Sequence, residues 1–572
     1  MMATMGTSSN HFLGVDVGTG SVRVCIIDET GEIKGVESKD IKTWHEKANY
    51  YEQSTEDIWS AICYCSKLVL EKSGIGKASV KGVGFDATCS LAIRRGMLFV
   101  CDLLRPEKET KAINATNHKL FQYVGGSMSI EMEIPKVLWL KNNMPRELFN
   151  KCKFYDLADV LTHLATGKET RSYCSAVCKQ GFVPVGVDGS VKGWQEDFLN
   201  DIGLPELSEN DFMRMGGVHG ANGTMLSAGE LAGELSEKAA KELGLVAGIK
   251  IGSGVIDAYA GWIGTVGAKV EMPKDLLSGG HTGSDPEQAF RRLAAVAGTS
   301  TCHLVMSKGP IFVPGVWGPY RDVLLPGYWM AEGGQSSTGS LLHNVLTTHP
   351  SYNEALEKSN ELSKNIFEYL NEHLEALRKS ENAPTIGYLA RHLFFYGDKH
   401  GNRSPIADAA MRGAIVGLSM DSSINDLALQ YFAAMEFIAQ QTRHIIETLN
   451  HQGHEITSIF MSGGQCKNSI LMHLIADATG YPVVIPRYID AAVVLGAAML
   501  GAKAASVDSE GNTESLWTIM DRMSKPGKTI HPTENANEKR LLGAKYEVFL
   551  QMSKAQQTYR DTVNAAIGDW KN

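Results

Sequence analysis

Three short stretches carry residues whose types and spacing suit phosphate chemistry. The first is Asp16-Val17-Gly18-Thr19-Gly20-Ser21, set between two apolar runs. Glycines open backbone angles closed to other residues and let a ligand approach the main chain. Successive N–H groups in such a turn form a concave anion site. Asp16 stands where the first run meets the turn, placed to hold a cation against that anion. An ordinary hairpin with an aspartate at a buried end is the competing reading. The second stretch, Gly298-Thr299-Ser300-Thr301, repeats the device in the other half of the chain. The third runs from Ile459 to Asn468 through Gly463-Gly464-Gln465. There a flat ring can lie on bare backbone with Asn468 offering polar contacts, or the stretch is a plain strand-to-helix turn. One glycine turn per half suits a nucleotide whose phosphates lie between two domains, each turn holding a different phosphate. The chain has no Gly-x-x-x-x-Gly-Lys-Ser/Thr loop and no Gly-x-Gly-x-x-Gly after Asp16, which disfavours Walker and dinucleotide sites.

The elements that must position these residues read as mixed α/β. Apolar and β-branched flanks make strands on both sides of the first turn. Thr55 is a fair N-cap for an amphipathic helix running to Leu70. Val80–Phe85 reads as a strand ending in Asp86-Ala87-Thr88-Cys89-Ser90, and Ala247–Gly254 as another. Residues 128–167 read as mostly helical. Strand, helix and strand in alternation predict a layered α/β domain. The aperiodic, Gly- and Pro-containing stretch around 269–292 predicts a domain boundary. The repeated strand–turn–strand theme predicts two similar domains facing a shared ligand. Leu427–Leu449 reads as a helix, Ala491–Ala502 as a buried one, and Glu534–Trp570 as a helix packing on the second domain.

Composition sets bounds. A chain of 572 residues holds two or more domains. Net charge −9 argues against non-specific nucleic-acid or anionic-membrane binding. Ten scattered cysteines without a Cys-x-x-Cys pair predict reduced thiols, a cytoplasmic setting and no structural zinc. Met1–Asn10 lacks the features of a signal peptide, and the longest apolar run is too short to span a bilayer.

Taken in order, Gly14–Ser21, Gly254–Gly261, Gly298–Thr301, Glu332–Gly339, Gly397–Pro405, Gly413–Leu418 and Ser462–Gln465 resemble the FGGY family of carbohydrate kinases, over roughly residues 11–505. The resemblance implies two actin-like ATPase (ribonuclease H-like) domains with a central cleft, spanning 11–268 and 293–505. A connecting segment 269–292 and a C-terminal helical extension 506–572 complete the expected organisation. It also implies ATP-dependent phosphorylation of a sugar or polyol hydroxyl, with Mg2+. Asp257 matches the family's catalytic base. A positioned carboxylate can accept the proton that the attacking alcohol loses. A helix-capping role is the plain alternative for Asp257. Asp16 would organise Mg2+ through water, and Gly18, Thr19, Gly20, Ser21, Gly298, Thr299, Ser300, Gly463, Gly464, Gln465 and Asn468 would hold the nucleotide.

On the sugar side, Thr88-Cys89-Ser90-Leu91 after Asp86 is similar to the Thr-Cys-Ser-Leu-Val signature of the D-ribulokinase branch, with Ala92 in place of the last valine. Lys179 and Glu332 fall where ribulokinases place a lysine and a glutamate on the ketopentose, although a solvated surface lysine is the bland alternative for Lys179. The expected substrate set is therefore Asp86, Thr88, Cys89, Lys179, Asp257 and Glu332, and the expected product D-ribulose 5-phosphate. Other ketopentoses or polyols (L-ribulose, xylulose), or a nucleotide-binding chain without catalysis, are the alternatives. A homodimer is compatible with the sequence. The chain departs from the family in lacking Trp-x-Asp-x-Arg between Trp59 and Trp139; Asp102 and Arg105 have the wrong spacing to replace it. If the missing pair holds sugar hydroxyls, substrate binding is weakened.

Overall fold

The computed structural model describes residues 9–44, 51–95, 97–102, 106–270 and 285–568, with Tyr51, 94–95 and 97–102 described by backbone alone. Strand β1 (His11–Val17) pairs antiparallel with β2 (Ser21–Asp28) across the Gly18–Gly20 turn, and β3 (Ile33–Asp40) extends the meander. Every β1 residue is buried, whereas β3 is largely exposed at the sheet edge. Helix α1 (Thr55–Ser73) follows, and β4 (Val80–Ala87) returns parallel to β1. The N-cap of α1 is Ser54, not Thr55: Ser54 is extended and its hydroxyl accepts from the Asp57 N–H, while Thr55 already has helical geometry. Helices α2 (Glu133–Asn143) and α3 (Tyr173–Lys179) precede β5 (Leu231–Glu234), β6 (Lys250–Gly252) and β7 (Val255–Ile256). The strand order is β5-β6-β4-β1-β2-β3, and β7 also pairs with β4.

A second sheet repeats this plan. Its strands are β8 (Arg292–Ala297), β9 (Thr301–Ser307), β10 (Trp317–Arg321), β11 (Trp329–Gln335), β12 (Ser458–Ser462), β13 (Val483–Ile485) and β14 (Lys528–Ile530). The order is β10-β11-β9-β8-β12-β13-β14. β8, β9 and β11 form an antiparallel meander like β1, β2 and β3; β12 and β13 run parallel to β8 as β4 and β6 do to β1, and an antiparallel strand closes each series.

Helix α4 (Asp257–Val266) leaves β7 between the sheets. In the second half stand α5 (Ile424–His451), α6 (Ser469–Thr479), α7 (Ala492–Ala505) and α8 (Ala536–Ile567). Tyr546 and Phe549 of α8 pack into the second domain's core, Phe549 against Tyr396 and Phe437 and Tyr546 stacked on Phe549. Helix α7 is buried, and it lies on the first sheet although in sequence it falls between β13 and β14 of the second. A Cβ on Gly84 would stand 2.0 Å from the Ala497 carbonyl, on Gly82 1.9 Å from that of Gly501, and on Gly264 of α4 1.9 Å from that of Ala492. Bare backbone on both sides is what allows this approach.

The replacement for the missing Trp-x-Asp-x-Arg motif is a strand: Met97–Asp102 pairs with Leu91–Arg95 and Tyr51–Ser54 in a small four-stranded sheet. Arg105 lies outside the described residues, as does 271–284 of the expected connecting segment.

Candidate functional site

Three aspartates meet at the ends of the first sheet's central strands. Asp16 of β1 and Asp86 of β4 face each other in register, and Val255 of β7 pairs with Asp86, which puts Asp257 beside them. Asp86 is fully buried, and neither of its carboxylate oxygens has a hydrogen-bond donor among the described residues. Burial, and then the charges of Asp16 and Asp257, push its pKa well up. Protonated, Asp86 can donate to Asp16. Burial also raises Asp16, against the pull of Arg23 3.8 Å away. Asp257 is half-buried at the head of α4, and its Oδ1 accepts from the Ala258 N–H at 2.7 Å. Burial and the Asp16 charge raise its pKa to about 7, while the Ala258 N–H and Lys179 work the other way. Such a carboxylate is poised to exchange a proton near neutral pH.

No group of three or more His, Cys, Asp or Glu among the described residues is gathered closely enough to enclose a metal ion. Magnesium does not need such a cage, because it keeps much of its water and binds through one or two carboxylates. Two facing aspartates, one with both oxygens unsatisfied, fit that mode.

The glycine turns are built for access to the backbone. The Gly18 N–H donates to Ser21 O at 3.0 Å, and the Gly298 N–H to Ser300 O at 2.9 Å. A Cβ on Gly20 or Gly464 would meet nothing within 4 Å, and one on Gly18 or Gly298 would meet nothing closer than 3.6 Å. Packing therefore does not demand glycine there, and the bare main chain faces open space. Gly463 differs: its φ is 94°, and a Cβ would stand 2.2 Å from the Ala297 carbonyl. This contact docks the 463–465 turn onto the end of β8. Gln465 Nε2 then donates to Gly298 O at 2.8 Å and to Thr338 Oγ1 at 2.6 Å. Thr299 O accepts from the Thr338 and Ser340 N–H groups. Asn468 caps α6 through the Leu471 N–H, and its amide donates to Tyr431 OH. It stands at the turn with both functions already engaged.

The two halves are joined around these turns. Arg23, just past the first turn, donates to Asp490 O, which Lys467 also meets through the Asp490 carboxylate at 2.7 Å. Gly463 N–H donates to the neighbouring Ile489 O. Gly261, one helical turn beyond Asp257, lies against Val296 two residues before Gly298.

The residues expected on the sugar side also come together. Lys179 Nζ lies 3.7 Å from Glu332 Oε2, and both side chains are at most 5 % exposed. The Tyr259 hydroxyl donates to the same oxygen at 3.2 Å. Burial pulls the Lys179 pKa down, but Glu332, then Cys89 and Tyr320, turn the net shift well upward. Cys89 is half-buried beside Thr88, whose Oγ1 is 3.2 Å from Ser90 Oγ; burial raises the thiol pKa, against Lys179 and Lys136. Sequence reasoning missed part of this wall. Trp317 carries Lys179 Nζ 4.4 Å and Arg403 Cζ 5.4 Å from its ring centre. Arg403 Nη2 pairs with Glu131 at 2.9 Å across the two halves. Arg403 sits in the Gly397–Pro405 motif, the one signal that pointed to it.

Residues 11–264 match the profile of the FGGY family of carbohydrate kinases, N-terminal domain, and 293–505 that of its C-terminal domain. The chain is 53 % identical to a D-ribulokinase of Saccharomyces cerevisiae, over 91 % of this chain and 75 % of that one. It is 38 % identical to the FGGY carbohydrate kinase domain-containing protein of Homo sapiens, over 97 % and 98 % of the two. The crystal structure of xylulose kinase from Rhodospirillum rubrum superposes with a TM-score of 0.73 at 18 % identity, over 96 % of this chain and 99 % of that one. The two repeated sheets are thus those of the actin-like ATPase fold, and the chain belongs to the FGGY family of carbohydrate kinases, phosphotransferases that move a phosphoryl group from ATP to an alcohol.

Proposed function

We propose that this chain phosphorylates a ketopentose, D-ribulose in preference to L-ribulose or xylulose, giving D-ribulose 5-phosphate. The observation that carries the reading is the position of Asp257, beside Asp16 and Asp86 at the ends of β1, β4 and β7, where the charges of Asp16, Lys179 and Glu332 all act on it. In this reading Asp257 accepts the proton of the attacking hydroxyl. Backbone N–H groups of Gly18–Ser21 and Gly298–Ser300 hold the phosphates, and the nucleotide's flat ring lies along Gly463–Gln465, with Asn468 nearby. Lys179 donates to sugar oxygens, Glu332 accepts from sugar hydroxyls, and the Asp86–Cys89 strand end with Thr88 closes the pocket wall. Mg2+, held through water by Asp16 and Asp86, would supply charge neutralisation to the phosphates. Closure of the halves excludes water that would otherwise hydrolyse ATP. The likeness to a protein named D-ribulokinase supports the choice of sugar. The reading includes a cytoplasmic setting, which the dispersed cysteines suit.

ADP release measured across a panel of ketopentoses tests this. The expected outcome is the highest kcat/KM on D-ribulose. Turnover on none of them with ATP still bound would overturn the reading in favour of a nucleotide-binding chain without catalysis, which the absent Trp-x-Asp-x-Arg motif favours.

A further inference from the structure

Lysines Lys136, Lys179, Lys503 and Lys545 are all buried. Three of them hold a partner: Lys179 has Glu332 at 3.7 Å, Lys503 the Ala228 carbonyl at 2.9 Å, and Lys545 the Ala390 carbonyl at 2.8 Å with Glu436 at 2.5 Å. Lys136, 2 % exposed in the first turn of α2, has no hydrogen bond or ion pair to any described residue. A lysine held this deep with no hydrogen-bond or ion-pair partner of its own is open to an acceptor that arrives from outside the chain.

The surroundings say which acceptor. The first turn of α2 is pinned to the sugar-side residues from two directions. Glu133 accepts from Gln180 Nε2 at 2.7 Å, next to Lys179. Glu131, just before the helix, pairs with Arg403 at 2.9 Å, and Arg403 and Lys179 share the face of Trp317. Lys136 also acts electrostatically on Cys89, Glu131 and Glu133. Cys89 in turn feels both Lys179 and Asp257, so the charge of Lys136 acts on the same group as theirs.

We propose that Lys136 is a further substrate-binding residue, whose ammonium donates to a sugar oxygen other than the hydroxyl that Asp257 deprotonates. An ammonium has three donors and no acceptor, so it reads lone pairs on a carbonyl or hydroxyl oxygen. It thereby helps to rank ketopentoses by the oxygen they present there, because a sugar that lacks that oxygen leaves the charge unpaired. The inference rests on the ketopentose kinase reading above.

The test compares Lys136→Met and Lys136→Gln with the unsubstituted chain in steady-state kinetics on D-ribulose and on ATP. Methionine keeps the length and packing of the stem, and glutamine serves if that variant fails to fold. The expected result is a KM for the ketopentose raised tenfold or more, with KM for ATP within twofold, kcat within about threefold, and a melting temperature that does not fall. A lysine with a purely structural role would lower the melting temperature and leave the sugar KM in place, which overturns the inference while the kinase reading stands. Failure of the unsubstituted chain to phosphorylate any ketopentose overturns the reading itself, and this assignment with it.

Discussion

Lys179 Nζ and Glu332 Oε2 lie 3.7 Å apart, both side chains buried, although one residue precedes the domain boundary by about ninety positions and the other follows it. Neither charge is stable there alone. The pair ties the two halves of the chain together at this point, each group offsetting the other's buried charge.

Breaking the pair should be costly. Lys179→Met or Glu332→Gln leaves an uncompensated buried charge or polar group, and each is expected to lose about 3 kcal/mol of stability in urea unfolding. The double variant should lose less than the sum of the two. Strict additivity would show that the groups do not interact.

Glycines of two kinds should respond in opposite ways. Gly84→Ala forces a Cβ to 2.0 Å from the Ala497 carbonyl and should cost about 3 kcal/mol in urea unfolding. Gly20→Ala meets nothing within 4 Å, so stability should stay within about 0.5 kcal/mol while KM for ATP rises tenfold or more. An unchanged ATP KM in Gly20→Ala would remove the first turn from the phosphate site.

The pH profile follows from Asp257. Its carboxyl must be ionised to accept a proton, and burial with the Asp16 charge sets its pKa at about 7. Log kcat/KM should therefore climb with pH below about 7 and level above it. In Lys179→Met the cation that lowers this pKa is gone, so the acid limb should move to higher pH. A profile flat from pH 5.5 to 8.5 would contradict the assignment.

Much of this was legible in the sequence because it is local. Asp16 with its turn, the repeat at Gly298, and Asp257 after a strand are each written within ten residues. The antiparallel meander in each half follows from that local pattern. What escaped depends on long-range contacts. Glu131 and Arg403 are 272 positions apart, and no spacing rule connects them. Trp317 and Lys136 look like ordinary core residues until the fold gathers them. Helix α7 reads correctly as buried, but its place on the first sheet depends on glycines in β1, β4 and α4 that acquire meaning only together. Ser54 displaces Thr55 as the cap of α1 because either hydroxyl suits the position and backbone geometry decides.

The most direct measurement is single-turnover phosphoryl transfer by Asp257→Asn, with ATP affinity determined on the same preparation. Asparagine keeps the shape and the Ala258 contact but cannot take up a proton at neutral pH. Transfer should slow by about 10³-fold while ATP binds as before. Transfer within tenfold of the unsubstituted rate would contradict the role given to Asp257 and the kinase mechanism built on it.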